Sequence, residues 1–240
     1  MELFSYPEGL DLLARWIHII AGIAWIGLLY YFNFVQAPFV AESDDVVKGA
    51  VTRQLVPRAL AWFRYAALVT FLAGLVLLII RLEQGGLEIL GTAYGFAVLT
   101  AGILGTLMFL NVWGVIWPNQ KVVIASARAV AGGGSADPRA PGATRRAFLA
   151  SRTNVVLSIP MVFFMATSAH GAFLLRESTT GERTAYWLIF AAVLVLIEGN
   201  ALIGLTGGPK RPLEKIGSVI WAGFILAAVL FVILRIFAGS

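Results

Sequence analysis

Residues 12–36, LLARWIHIIAGIAWIGLLYYFNFVQ, decide how the rest of the chain is read. The stretch is apolar and longer than the roughly 20 residues a helix needs to cross a bilayer. It nevertheless carries Arg15 and His18 near one end, and Asn33 and Gln36 near the other. Polar and ionisable groups are costly inside a membrane and usually face a partner or a cavity. A span that served only as an anchor would have no need of them. At helical spacing His18 has Ala14, Ala21 and Gly22 as neighbours, with Trp25 a further turn along. Small residues beside an imidazole leave room for a flat cofactor.

The surrounding composition is of the same kind. Of the 240 residues, 59% are hydrophobic and 13% charged, and the mean hydropathy is +0.85, which marks a polytopic helical membrane protein. The chain holds no cysteine, which excludes disulfides, iron–sulfur clusters, covalently attached c-type haem and thiol catalysis. The net charge of +5 does not indicate a nucleic-acid partner, because most of it lies in loops that flank apolar spans.

An all-α transmembrane bundle of about six spans is expected, forming one domain over residues 1–240. The spans fall at about 12–35, 59–80, 90–117, 154–175, 186–205 and 216–237, with residues 118–153 read as a flexible loop because of the run AGGGSADPRAPG. Lys48, Arg53 and Arg58 follow the first span, Lys121 to Arg152 the third, and Lys210, Arg211 and Lys215 the fifth. By the positive-inside rule these loops are cytoplasmic and both termini periplasmic, in a bacterial inner membrane. Gly91, Gly95, Gly102 and Gly105 in the third span read as close helix packing. Pro160 reads as a kink in the fourth.

The chain has two histidines. With the spans running in opposite directions, His18 and His170 each lie roughly 8–10 Å below the outer edge, at about 1.5 Å per residue. His170 is flanked by Ala166, Thr167, Ala169 and Gly171. Such a pair can supply both axial ligands of a haem b, the iron being held by His18 and His170 with Gly22, Trp25 and Ala166 beside it. The plainer alternative is that each imidazole hydrogen-bonds a neighbouring helix. Zinc or copper would need more ligands than these two.

A second set of polar residues lies nearer the cytoplasm: Asn33, Gln36, Arg64, Asn111, Asn154, Ser158, Glu198 and Asn200. Singly each has an ordinary account, such as Arg64 snorkelling to the interface. Together they form a candidate pocket with an Arg64–Glu198 ion pair, and amide and guanidinium groups suit a flat, anionic heteroaromatic ligand.

RWIHIIAGIAWIGLLYYFNFVQ (15–36), NVWGVIWPNQK (111–121), SRTNVVLSIPMVFFM (151–165) and SAHG (168–171) resemble the membrane domain of the bacterial membrane-bound urate oxidases, or urate hydroxylases. The resemblance bears on His18, Asn111, Trp113, Asn154 and His170. It implies oxidation of urate to 5-hydroxyisourate and transfer of electrons to a cytochrome c, often a fused C-terminal domain. This chain ends at Ser240 without a CxxCH motif, so a separate acceptor is expected. The expected roles are catalysis by Glu198 and Arg64, and substrate binding by Asn33, Asn111, Trp113, Asn154 and Asn200. The expected partners are urate, an electron acceptor and membrane lipid, with assembly of further copies of the chain left open. The histidine-then-WIG pattern also resembles the membrane protoporphyrinogen oxidases, the runner-up enzyme. A cytochrome b-like carrier or anchor subunit, and a transporter, are the readings from other classes.

Overall fold

Helices account for nearly all of the computed structural model, which describes residues 5–171 and 179–238. Six of them are long and apolar enough to cross a bilayer: α1 (Glu8–Glu42), α2 (Asp45–Gly85), α3 (Ala93–Ala131), α4 (Ala140–Gly171), α5 (Thr180–Leu202) and α6 (Ile216–Phe237). The protein is therefore a multi-pass membrane protein. The expected end of the fourth span, near residue 175, lies outside the described residues.

The first four helices run well past the expected span ends. The α3 helix is 39 residues long, about 58 Å at 1.5 Å per residue, against a hydrocarbon core of about 30 Å. The reason is legible in three prolines. Each of Pro38, Pro57 and Pro118 follows a wide π-turn, at Tyr31–Gln36, Val51–Leu55 and Asn111–Ile116. In each case the residue before the proline donates to the carbonyl five residues back: Ala37 to Phe32, Val56 to Val51, and Trp117 to Val112. Widening the turn moves aside the carbonyl that the proline ring would strike, so the helix bends and continues instead of stopping. A fourth π-turn, Thr167–Gly171, carries His170.

Residues 118–153 are consequently not a flexible loop. Helix covers them except for about 132–139, because the flanks are rich in alanine and other strong helix formers. The break comes at the glycine run, where Gly133 takes a left-handed φ of 83°. Even this short connection is tied down. The Asp137 backbone N–H donates to Ser126 Oγ at 2.9 Å, and Arg139 Nη2 donates to Asp137 Oδ2 at 2.8 Å. The hydrogen bonds from Arg139 hold the Asp137 carboxyl down to about 2.

The α4 helix is the most buried of the six and packs against α1, α3, α5 and α6. Its partner α6 approaches closely at Gly223, where a Cβ would come within 2.5 Å of Ile159. At the end of the bundle nearest the termini, Asp11 accepts from Arg15 (2.9 Å) and Arg81 (3.1 Å), joining the start of α1 to the end of α2. That contact accounts for the charge at Arg15.

Candidate functional site

Helices α1 to α4 enclose a groove that holds two cavities, one above the other. The larger, about 610 Å³, is lined from α1 by residues between His18 and Gly27, and from α4 by Met161, Val162 and Met165. The smaller, about 390 Å³, lies toward the Lys/Arg-rich loops and begins at Phe32 on α1 and Ile116 on α3.

At the larger cavity His18 Nδ1 lies 2.8 Å from the Thr70 carbonyl oxygen. A carbonyl only accepts, so Nδ1 carries the hydrogen and the neutral ring keeps its lone pair on Nε2. Gly74 makes the position possible: a Cβ there would come to 3.1 Å from His18 Cε1. Gly22 and Trp25 line the same cavity. Trp25 is 2% exposed, and its indole N–H is a buried donor without an acceptor. Glycines line the cavity rather than closing it. A Cβ on Gly102 would meet nothing within 4 Å, and one on Gly105 would meet only Met161. The helix-packing expectation is not met at Gly102 and Gly105; Gly91, in the turn before α3, sits against the Arg183 side chain, and Gly95 against the backbone of that same turn at Ile89 and Leu90.

These features fit a haem: a lone-pair nitrogen on an oriented imidazole, an orphan donor able to meet a carboxylate, and an apolar chamber of cofactor size. His170 is placed differently. It is exposed, as is Ala166, and neither lines the cavity. His170 lies five residues beyond Met165, about 7–8 Å farther along the helix axis. The two histidines are not brought into one chamber. Among the described residues no group of three or more His, Asp or Glu gathers for a metal ion.

Between the two cavities lies a buried polar knot. Asn111 Nδ2 donates to Asn154 Oδ1 at 2.9 Å and to Glu198 Oε1 at 3.0 Å, while Asn154 Nδ2 donates to the Met108 carbonyl at 3.0 Å. Nearby, the Tyr30 hydroxyl meets Ser158 Oγ at 3.0 Å. The second Glu198 oxygen is buried without a partner. On α3, Asn111 is five residues from the wall of either cavity, about 7–8 Å each way.

Other members of the expected polar set are elsewhere. Arg64 does not pair with Glu198: its guanidinium stacks over Trp117, 3.8 Å from the ring centroid, with Tyr65 and Trp113 at 4.7 and 5.7 Å. Delocalised charge over an indole face is favourable, and this competes successfully with a carboxylate on another helix. Asn200 donates to the Pro209 carbonyl and its own carbonyl accepts from Lys210, so it fixes the loop after α5. Asn33 lines the smaller cavity and bonds to Ser151. Thr70, Gly74, Ser151 and Gln120 were not singled out from sequence, because nothing local marks a threonine carbonyl or a glycine as the seat of a distant side chain. Arg152, 4% exposed with Nε and Nη1 lacking hydrogen bonds, is legible as a charge about three turns inside α4.

A helical membrane bundle with an oriented imidazole on a cofactor-sized chamber defines the class. The chain matches the family described as Urate oxidase N-terminal over residues 5–51 and 87–204, most of its length, and it belongs to that family. No curated protein and no solved structure matches it. Much of α2, including Arg64, Thr70 and Gly74, lies outside the matched residues.

Proposed function

We propose that this protein is a bacterial inner-membrane oxidoreductase that oxidises urate, with a haem b held at His18. The observation that carries the reading is the His18 hydrogen bond to Thr70, which leaves Nε2 as the lone-pair nitrogen of a cavity-lining ring. Family membership supports urate as the substrate. Urate and one water give 5-hydroxyisourate, two protons and two electrons. A haem at His18 would supply a one-electron relay toward a cytochrome c or another acceptor.

The chain's own residues supply the rest. Glu198, whose Oε1 is fixed by Asn111, offers its free Oε2 as proton acceptor. Asn111 and Asn154 hold that carboxylate in place, and the surrounding apolar helices exclude bulk water. Arg64, clasped by Trp117 and Trp113, keeps a positive charge at the same level of the bundle. The basic loops face the cytoplasm, which puts the His18 chamber toward the periplasmic side.

The test is an optical spectrum of the purified protein, followed by urate addition with and without an acceptor. A haem spectrum with urate-driven bleaching of the acceptor is the expected result. Haem without any response to urate would favour an electron-carrier subunit, and absence of haem would end the reading.

A further inference from the structure

We infer that the smaller cavity, at the basic end of the groove, is a binding site for a planar oxopurine-type heterocycle with ring N–H donors and exocyclic carbonyls. The inference rests on the urate-oxidising reading and gives it a docking position whose wall on α3 begins about 7–8 Å from Asn111 of the polar knot.

The walls present unspent hydrogen-bonding groups of both kinds. Asn33 is 3% exposed and uses its amide nitrogen on the Leu29 carbonyl and on Ser151 Oγ, each at 2.8 Å. Its Oδ1 accepts from nothing among the described residues, and Gln36 Oε1 is a buried acceptor without a donor. Ser151 accepts from Asn33, so its hydroxyl hydrogen remains to be given. The amide nitrogens of Gln36 on α1 and Gln120 on α3 are uncommitted donors lining the cavity, and Lys48 pairs only loosely with Asp45, at 3.7 Å.

Phe148 adds a flat apolar surface. The guanidiniums of Arg145 and Arg152 lie against that ring, 5.4 and 5.1 Å from its centroid. Arg152, next to Ser151 on α4, is buried with two nitrogens that lack a hydrogen-bond partner, and the Glu214 carboxylate is near enough to act on its charge. The chemistry selects among anions. A phosphate offers acceptors only and would leave the amide oxygens of Asn33 and Gln36 unpaired, which is costly at the buried Gln36 oxygen. A heterocycle alternating N–H and C=O in one plane pairs with donors and acceptors alike, and a cavity of about 390 Å³ suits a ligand of that size.

The experiment is equilibrium binding of radiolabelled urate to the full chain in lipid nanodiscs, without acceptor. Gln36 and Gln120 have no protein partner, so Gln36→Ala and Gln120→Ala leave the fold undisturbed. Each is expected to weaken urate binding by about tenfold, the value of one hydrogen bond to a ligand. Haem content should stay constant in both, and His18→Ala should bind urate as the unmodified protein does. Unchanged affinity in both glutamine variants, no urate binding at all, or full displacement of urate by equimolar inorganic phosphate would each overturn the site. If urate binds and the glutamine variants weaken it, yet no electrons reach an added acceptor, the pocket stands and the oxidase reading falls.

Discussion

His18 Nδ1 and the backbone oxygen of Thr70 meet at 2.8 Å across the interface of α1 and α2, 52 residues apart in sequence. The contact sets which nitrogen of the ring is free, and Gly74, one turn beyond Thr70, provides the space the ring occupies. An imidazole fixed through one nitrogen is a better ligand through the other, because its tautomer and orientation need not be set at binding.

The two histidines should therefore contribute unequally to haem retention. His18→Ala is expected to remove most of the haem, and His170→Ala to retain it, with both proteins inserting normally. Haem per protein, measured by absorbance against total protein, decides this. Equal loss in both variants would restore bis-histidine ligation and require α4 to move.

Filling the chamber should separate cofactor binding from folding. Gly102→Leu starts from a Cβ with nothing within 4 Å and extends into the cavity that Gly102 lines, so stability should change by no more than about 0.5 kcal/mol. Haem content should nevertheless fall severalfold. Gly74→Val is expected to do the same by pushing the His18 ring from its seat, since even a Cβ would sit 3.1 Å from Cε1. Thermal unfolding in detergent, read beside the haem spectrum, distinguishes a filled cavity from a damaged fold.

At the polar knot, shape and charge can be varied separately. Glu198→Gln keeps an oxygen for Asn111 and should preserve folding and haem. If the carboxylate accepts a proton from urate, turnover should drop by about 100-fold or more. Asn154→Ala instead strands one buried Asn111 hydrogen and removes a bond to the Met108 carbonyl, costing about 1–3 kcal/mol. Its loss of activity should track its loss of stability, whereas that of Glu198→Gln should not. A fully active Glu198→Gln protein would remove Glu198 from the reaction.

Outside the spans, Glu214 is the carboxylate whose titration should be felt in stability. The hydrogen bonds from Arg145 hold its carboxyl below the ordinary range. A carboxyl lowered in the folded state stabilises above its unfolded pKa, about 4.3, and that contribution fades as pH falls through the folded value. The pair is partly exposed, so the effect is about 0.5–1 kcal/mol. Glu214→Gln should lose that much at neutral pH and show a shallower decline below pH ~4. A denaturation series from pH 3 to 7 on both proteins tests the difference.

The sequence by itself determined the class of the molecule. Six apolar stretches can satisfy their backbone in a membrane only as helices, and the polar residues within 12–36 marked where the interior had something to hold. It also singled out Asn111, Asn154 and Glu198, which do converge, because buried polar groups in apolar helices must find one another. The helices continue beyond the expected span ends through Pro38, Pro57 and Pro118, because the π-turn that accommodates each proline is a subtle local adjustment that the sequence does not mark. Tertiary structure alone decided the rest. Whether Arg64 meets a carboxylate or an indole, whether glycines pack or leave a chamber, and which nitrogen of His18 is free all depend on side chains from different helices. Those neighbours are set by how each helix is rotated about its axis, which is fixed only when the helices pack together.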